Sequence, residues 1–287
     1  MTGVAIIGAG RLGTSLGRAL AKKGYPILWI ADRKPAAARE SRRIIGQGRA
    51  TSDIARAGEA GIIVLSVPDE EIERVARRLA RTSGVWRGKV VLHTSGILSA
   101  DALAALRPKG AFCASFHPVQ SFPRKDLPPV HFKDIVIALE GDEAALPAAK
   151  RLVRSLGARA LLLQARDKIF FHAACSMASN LFVPLFEMAR TLLRRIGIKD
   201  ARAVRVLLPL VEGTLQSLKH FDGADALTGP ISRGDVETVK KHLEALKRYP
   251  AARRAYQALG AEAVRFARKK GLPSGKLKTL KRLTAGK

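Results

Sequence analysis

The sequence is poor in sulfur, aromatic rings and acid. Two cysteines in 287 residues, Cys113 and Cys175, are too few for a disulfide framework. Aromatic residues make up 5% of the chain and none interleaves with the basic side chains, so a base-stacking platform is missing and specific nucleic-acid binding is not expected. No apolar run is expected to reach the ~18 residues of a membrane span. The stretch Met1 to Gly8 has no basic start, no long apolar core and no small-residue cleavage site, so no secretory signal is expected. A soluble, cytoplasmic protein without a metal centre is the resulting expectation. Acidic residues number 24 against 51 basic ones, a net charge of +27. The excess is uneven: residues 1–150 carry 23 basic and 14 acidic side chains, residues 151–287 carry 28 and 10. Such a surface attracts anions, and a nucleotide and a small carboxylate suit it without a polynucleotide.

What is present is a hydrophobic fraction of 47%, ample for a core. Short apolar runs at Val4–Ile7, Ile27–Ile30, Ile62–Leu65 and Lys89–Leu92 read as buried strands, with later ones at 111–116, 134–139 and 160–163. Helical patterns at 11–23, 36–45, 69–81 and 142–156 alternate with them, which predicts a parallel sheet covered on both faces. From Arg166 onward only helical patterns remain, at 166–197, 201–221, 235–247 and 251–270, followed by a basic tail from Lys276 expected to fray. The fold class predicted is an α/β doubly wound Rossmann domain over 1–165, followed by an all-α domain over 166–287 for substrate binding and dimerisation.

Gly8-Ala9-Gly10-Arg11-Leu12-Gly13 fits G-x-G-x-x-G between a buried strand and a helix. In that context Gly8 allows the tight turn, Gly10 the approach of a diphosphate, and Gly13 the packing of helix on strand. The helix N-terminus offers free N–H groups to the phosphates. Asp32 ends the second strand, 19 residues after Gly13, where a carboxylate accepts from ribose hydroxyls and favours NAD. Arg33 and Lys34 follow at once and favour a 2′-phosphate, so the cofactor leans to NADP with NAD open. Ser66, Val67 and Pro68 close another strand and are expected to line the same crevice.

Candidate chemistry lies at later strand ends and on the first long helix. His93-Thr94-Ser95-Gly96 and Ser115-Phe116-His117-Pro118 follow adjacent strands, which aims them at the nicotinamide. His93 and Ser95 are expected at the cofactor, and Ser95 and Gly96 at the substrate. Lys168, His172, Ser176 and Asn180 recur at steps of four and share one helix face. An ammonium and an amide there would hold a developing alkoxide, and His172 or His117 would carry a proton. Arg233, in Leu227-Thr228-Gly229-Pro230-Ile231-Ser232-Arg233-Gly234-Asp235, is the candidate carboxylate clamp, with Asp235 capping the next helix.

Taken together, these motifs resemble the Rossmann-like proteins with a C-terminal DUF2520 domain, described as NADP oxidoreductases. The resemblance rests on Gly8-x-Gly10-x-x-Gly13, His93-x-Ser95-Gly96, Ser115-x-His117-Pro118, Asp167-Lys168-x-x-x-His172, Ala178-Ser179-Asn180 and Leu227-Thr228-Gly229-Pro230 with Arg233-Gly234-Asp235. That family looks like a relative of the 6-phosphogluconate dehydrogenase superfamily, with ketopantoate reductase, pyrroline-5-carboxylate reductase and prephenate dehydrogenase. The resemblance implies NAD(P)-dependent hydride transfer to or from a small anionic substrate, and a homodimer built through the helical domain. The alternatives are a prephenate- or arogenate-type dehydrogenase and an NADP-binding regulator without turnover.

Overall fold

Strand after strand, the apolar runs of the first half pair into one eight-stranded sheet. The computed structural model describes residues 2–286. The strands are β1 (Val4–Ile7), β2 (Ile27–Ala31), β3 (Arg49–Thr51), β4 (Ile62–Leu65), β5 (Val90–His93), β6 (Phe112–Pro118), β7 (Val136–Gly141) and β8 (Arg159–Leu162). Their order is β3-β2-β1-β4-β5-β6-β7-β8. β1 and β4 are buried along their whole length, as continuous apolar runs between two helical layers require. One core cluster, with Leu16, Leu20, Phe116 and Phe132, lies on one face of the sheet. The other, with Ile63, Leu79, Trp86 and Leu103, lies on the opposite face.

Helices α1 (Arg11–Lys22), α2 (Pro35–Ile45), α3 (Asp69–Ala80) and α4 (Leu146–Ser155) flank the sheet. The order reverses beside β1, which lies between β2 and β4, so a crevice opens at the C-terminal ends of β1 and β4. The expected all-parallel sheet needs a correction. β7 runs antiparallel to β6, with Ser115 opposite Glu140 and His117 opposite Ala138. No helical crossover of the kind a parallel pair demands separates them; the chain instead turns back through a loop from Val119. β3 is a three-residue edge strand too short for a pattern to announce.

Residues fall into two compact units, Met1–Ser176 and Met177–Lys287. The division lies later than the 165/166 expected, because α5 (Lys168–Ala178) begins with Lys168, 1% exposed and bonded to the sheet end. The run expected to be helical over 166–197 is broken at 179–181, between α5 and α6 (Phe182–Arg195). Ser179 and Asn180 form the turn, and Pro184 sits harmlessly in the first turn of α6. Asn180 is therefore not on the helix face shared by Lys168, His172 and Ser176. The stretch Ala165–Arg195 is also long and apolar enough, by length and composition, to cross a membrane, contrary to the expectation from the sequence. Its helix is interrupted at that turn, and its buried lysine belongs to a sheet-end network.

The second unit is helical throughout: α6, α7 (Asp200–His220), α8 (Gly223–Ala226), α9 (Pro230–Arg233), α10 (Val236–Ala245), α11 (Pro250–Lys269) and α12 (Ser274–Thr284). Its core gathers Ile231, Val239, Leu243, Val264 and Leu280. The basic tail thus does not fray as expected. Leu280 is fully buried in α12, so the tail's charges ride on an amphipathic helix; Lys287 lies outside the described residues. Asp235 caps α10 by accepting the Thr238 N–H at 3.0 Å.

Candidate functional site

The glycine turn between β1 and α1 builds the cofactor end. Gly8 has φ of +103°, and a Cβ there would collide with the Ser66 carbonyl. Gly13 is pressed against the Gly8 carbonyl, where any side chain would separate helix from strand. Gly10 is different, since a Cβ on it would meet nothing within 4 Å. It faces open cleft, as a residue that lets a diphosphate approach must. No side chain caps α1 and its first turn holds no acid, so the helix dipole is offered to an anion.

A cavity of about 500 Å³ runs from this turn along Asp32, Arg33, Lys34 and Ala37, and is lined further by Arg74, Arg78 and Lys125. Both oxygens of Asp32 already accept backbone amides, from Ala9 at 2.8 Å and from Lys34 at 2.8 Å. The carboxylate stitches the glycine turn to the start of α2. Arg33 and Lys34 are exposed to the cavity's solvent.

A second cavity, of about 460 Å³, shares Gly10, Ser66, Val67 and Pro68 with the first. It is lined further by Arg11, Leu12, Ser95, Gly96, His117, Gln120, Phe122 and His172. The two imidazoles of His117 and His172 stand 5.6 Å apart between ring centres. Gly96 lies against both: a Cβ there would be 2.9 Å from His172 Nε2 and 3.0 Å from His117 Cε1. Burial lowers the His117 pKa to about 4, and the neighbouring Lys168 and His172 add to the shift. It is therefore neutral at physiological pH. Its Nδ1 is buried without a hydrogen-bond partner among the described residues.

Beneath this cavity lies a polar network. Ser95 Oγ donates to Asp69 at 2.8 Å and accepts the N–H groups of Ile97 and Leu98. Lys168 Nζ donates to Ser115 Oγ at 2.6 Å and reaches the Ser95 carbonyl at 3.5 Å. Burial holds its pKa below the usual ammonium range, while Glu140 and Asp69 oppose the shift. Glu140 pairs across the sheet with Ser115, and its own carboxyl is raised by burial.

The sequence-predicted residues separate accordingly. Gly8, Gly10, Asp32, Arg33, Lys34, Ser66, Val67 and Pro68 line the first cavity, and Arg11, Leu12, Ser95, Gly96, His117 and His172 the second. Gly13 packs behind them. His93 does not line the cleft, as a cofactor ligand would. It is fully buried, accepts the Ser95 N–H on Nδ1 at 3.2 Å and bonds the Ser99 carbonyl through Nε2 at 3.0 Å. Its role is to shape the Ser95–Ser99 turn. Lys168 lies under the cavity floor and not on its surface. Asn180 and Arg233 belong to the second unit, where both are exposed. Asp69 and Ser115 stood in motifs that the sequence marked but were given no role of their own, and Glu140, Gln120 and Lys125 were not singled out. Of the last three, only Glu140 carried a signal, as a carboxylate ending an apolar strand.

His93 has a consequence for acid stability. Burial lowers its pKa to about 4, whereas an unfolded imidazole titrates near ~6.5. The unfolded chain takes up a proton between those values and the fold does not. Stability is therefore full above pH ~6.5 and falls as the pH drops towards 4, by about 3 kcal/mol for this group. Urea unfolding at neutral and acid pH should show this loss, and His93→Gln should reduce the slope. An unchanged slope would assign the loss elsewhere.

Known proteins bear on this geometry. A Rossmann-like domain matches residues 2–118, and a domain of unknown function, DUF2520, matches residues 135–263. No curated protein matches the chain in sequence. Among solved structures, the putative NADP oxidoreductase BF3122 from Bacteroides fragilis is 24% identical, with a TM-score of 0.77 over 91% of this chain and 97% of that one. Protein TM1727 from Thermotoga maritima is 26% identical, with a TM-score of 0.70 over 93% and 99%. An imine reductase from Pseudomonas sp. shares the fold at 18% identity, with a TM-score of 0.63 over 98% and 99%. The chain thus carries a Rossmann-like domain followed by a DUF2520 domain.

Proposed function

We propose that this protein is an NAD(P)-dependent oxidoreductase, using NADPH by preference, that acts on a small carboxylate-bearing carbonyl, hydroxyl or imine compound. One observation carries the reading. The two cavities have Gly10, Ser66, Val67 and Pro68 in common, which suits a dinucleotide anchored at Arg33 and Lys34 with its nicotinamide near the imidazoles of His117 and His172. The fold shared with BF3122, named a putative NADP oxidoreductase, is in keeping with it. The preference for NADPH is supported by the two amides that already occupy Asp32 and by the cations around it.

NADPH, when bound, supplies the hydride. His172 delivers or removes the proton on the reacting oxygen or nitrogen, and neutral His117 fixes its orientation. The Asp69–Ser95 bond holds the turn that bears Gly96, and Lys168 fixes that turn and Ser115 from below.

The test is an absorbance screen at the nicotinamide wavelength against 2-oxoacids, 3-hydroxyacids and cyclic imines, with prephenate included. Turnover with one class is expected. Turnover of prephenate with NAD(P)+ would favour the oxidative decarboxylation instead. Nucleotide binding without any turnover would favour a regulator, and no binding of either nucleotide would overturn the reading.

The protein is further proposed to be a homodimer through its helical unit. Leu208, Leu210, Leu215 and Leu218 on α7, with Val183 on α6, are exposed apolar side chains on polar-faced helices. Light scattering should give about twice the 30.9 kDa chain mass, and Leu210→Glu should lower it. A monomeric wild type would refute the assembly.

A further inference from the structure

Lys125 stands outside every motif of the dinucleotide fold, yet it reaches the cofactor cavity. It lies on the loop that leaves β6 after Pro118. That loop turns back over α1 and is pinned there twice. Ser15, 1% exposed within α1, donates its hydroxyl to the carbonyls of Lys125 at 3.1 Å and Arg124 at 3.4 Å. One turn further along α1, Arg18 donates to the carbonyls of Asp126 at 2.7 Å and Leu127 at 3.4 Å. Four consecutive carbonyls are thereby fixed to the helix whose N-terminus faces the diphosphate. Flexible surface loops leave their carbonyls to water, whereas this one commits a buried serine to holding the backbone of Arg124 and Lys125.

The side chain is placed as deliberately. Arg124 and Asp126, on either side, pair with each other and stay in solvent. Lys125 instead turns inward, with its side chain 26% exposed, and its Nζ bonds Glu40 at 2.6 Å. Glu40 lies on α2, one turn beyond Ala37, which lines the cavity beside Arg33 and Lys34. The ammonium therefore approaches along α2, the side of a 2′-phosphate, and not along the N-terminus of α1, the side of the diphosphate. Of the acids lining the cavity, Asp32 is committed to amides and Glu71 to Arg74. The positive charge of Arg33, Lys34 and Arg78 is left for a ligand, and Lys125 is held only by the exposed Glu40.

We infer that Lys125 is a specificity-determining cofactor ligand, which exchanges Glu40 for the 2′-phosphate of NADPH. The inference rests on the dinucleotide reading above. The bland alternative is a surface ion pair of the kind worth little. It predicts the same small effect on both nucleotides.

Titration of the full chain with NADPH and NADH distinguishes the two. Lys125→Met should raise the Kd for NADPH about tenfold and that for NADH less than about twofold, as loss of one charge-assisted phosphate contact would. Glu40→Gln, which removes the competitor and leaves the lysine, should lower the Kd for NADPH. Lys125→Arg should stay near wild type. An equal change for both nucleotides, or none, in a chain whose wild type binds NADPH overturns the inference alone. A wild type that binds neither nucleotide overturns the dinucleotide reading and this inference with it.

Discussion

Gly96→Val abolishes turnover, by at least ~100-fold, and leaves nucleotide binding within about twofold of wild type. The glycine has an ordinary reason and a local one. It does not need a left-handed backbone. It needs the absence of a side chain, because a Cβ would fall against the His172 ring and 3.0 Å from His117 Cε1. The two imidazoles cannot both keep their places, and displacement of a reacting group by about an ångström costs rate by orders of magnitude. The cofactor turn lies on other residues, with Gly10 and Pro68 at the shared passage, so binding of NADPH is spared. The measurement is a Kd from fluorescence titration beside a kcat on the substrate class the screen identifies. Retained turnover in Gly96→Val would remove the imidazole pair from the reaction.

Lys168→Met separates activity from stability in the opposite sense to most core substitutions. The ammonium is 1% exposed, and no carboxylate lies within ion-pair distance of it among the described residues. Taking such a charge out of the interior is neutral or stabilising when the replacement fills its volume. The melting temperature is therefore expected to hold or rise. Turnover should fall by about 100-fold, because the Ser115 hydroxyl and the Ser95 carbonyl lose the cation that fixes them. Lys168 acts through those groups and is a positioning residue. The pH profile provides the second readout: burial lowers its pKa, so the alkaline limb of wild-type activity should begin below the usual ammonium range. The residual activity of Lys168→Met should lack that limb. A variant with lower stability and unaltered turnover would make the lysine structural only. Lys168→Ala, which leaves that volume empty, should likewise lower turnover more than nucleotide affinity.

The residues that could be read in advance are those whose signals are local. Val4–Ile7 followed by a glycine triplet and a leucine-spaced helix has one physical interpretation, and the cofactor turn has the geometry it implies. The reaction end is different. Steps of four put Lys168 and His172 on one helix face, but periodicity reports direction and not depth. His172 emerged at the cavity surface and Lys168 beneath its floor. His93 and His117 end adjacent strands with similar neighbours, yet one is consumed by Ser95 and Ser99 and the other borders the cleft. Only the path of each following loop decides between them, and that path is set by contacts distant in sequence. The antiparallel β7 was hidden for the same reason, since its residues pattern alike in either direction. Lys125 was hidden most completely. Its placement comes from a serine and an arginine more than a hundred residues earlier in the chain.

The loop that carries Lys125 has an evolutionary consequence. It begins beside His117, contributes Gln120 and Phe122 to the second cavity, and delivers Lys125 to the first. Those seven residues from Pro118 to Phe122 and on to the anchored Arg124 act as a gauge whose two ends are both fixed. Insertions and deletions, tolerated in most connecting loops, would here move an imidazole or a cofactor contact. The exposed side chains of Ser121 and Pro123 remain free to change. Divergent members of the fold are thus expected to vary this loop in composition at its crest while holding its length.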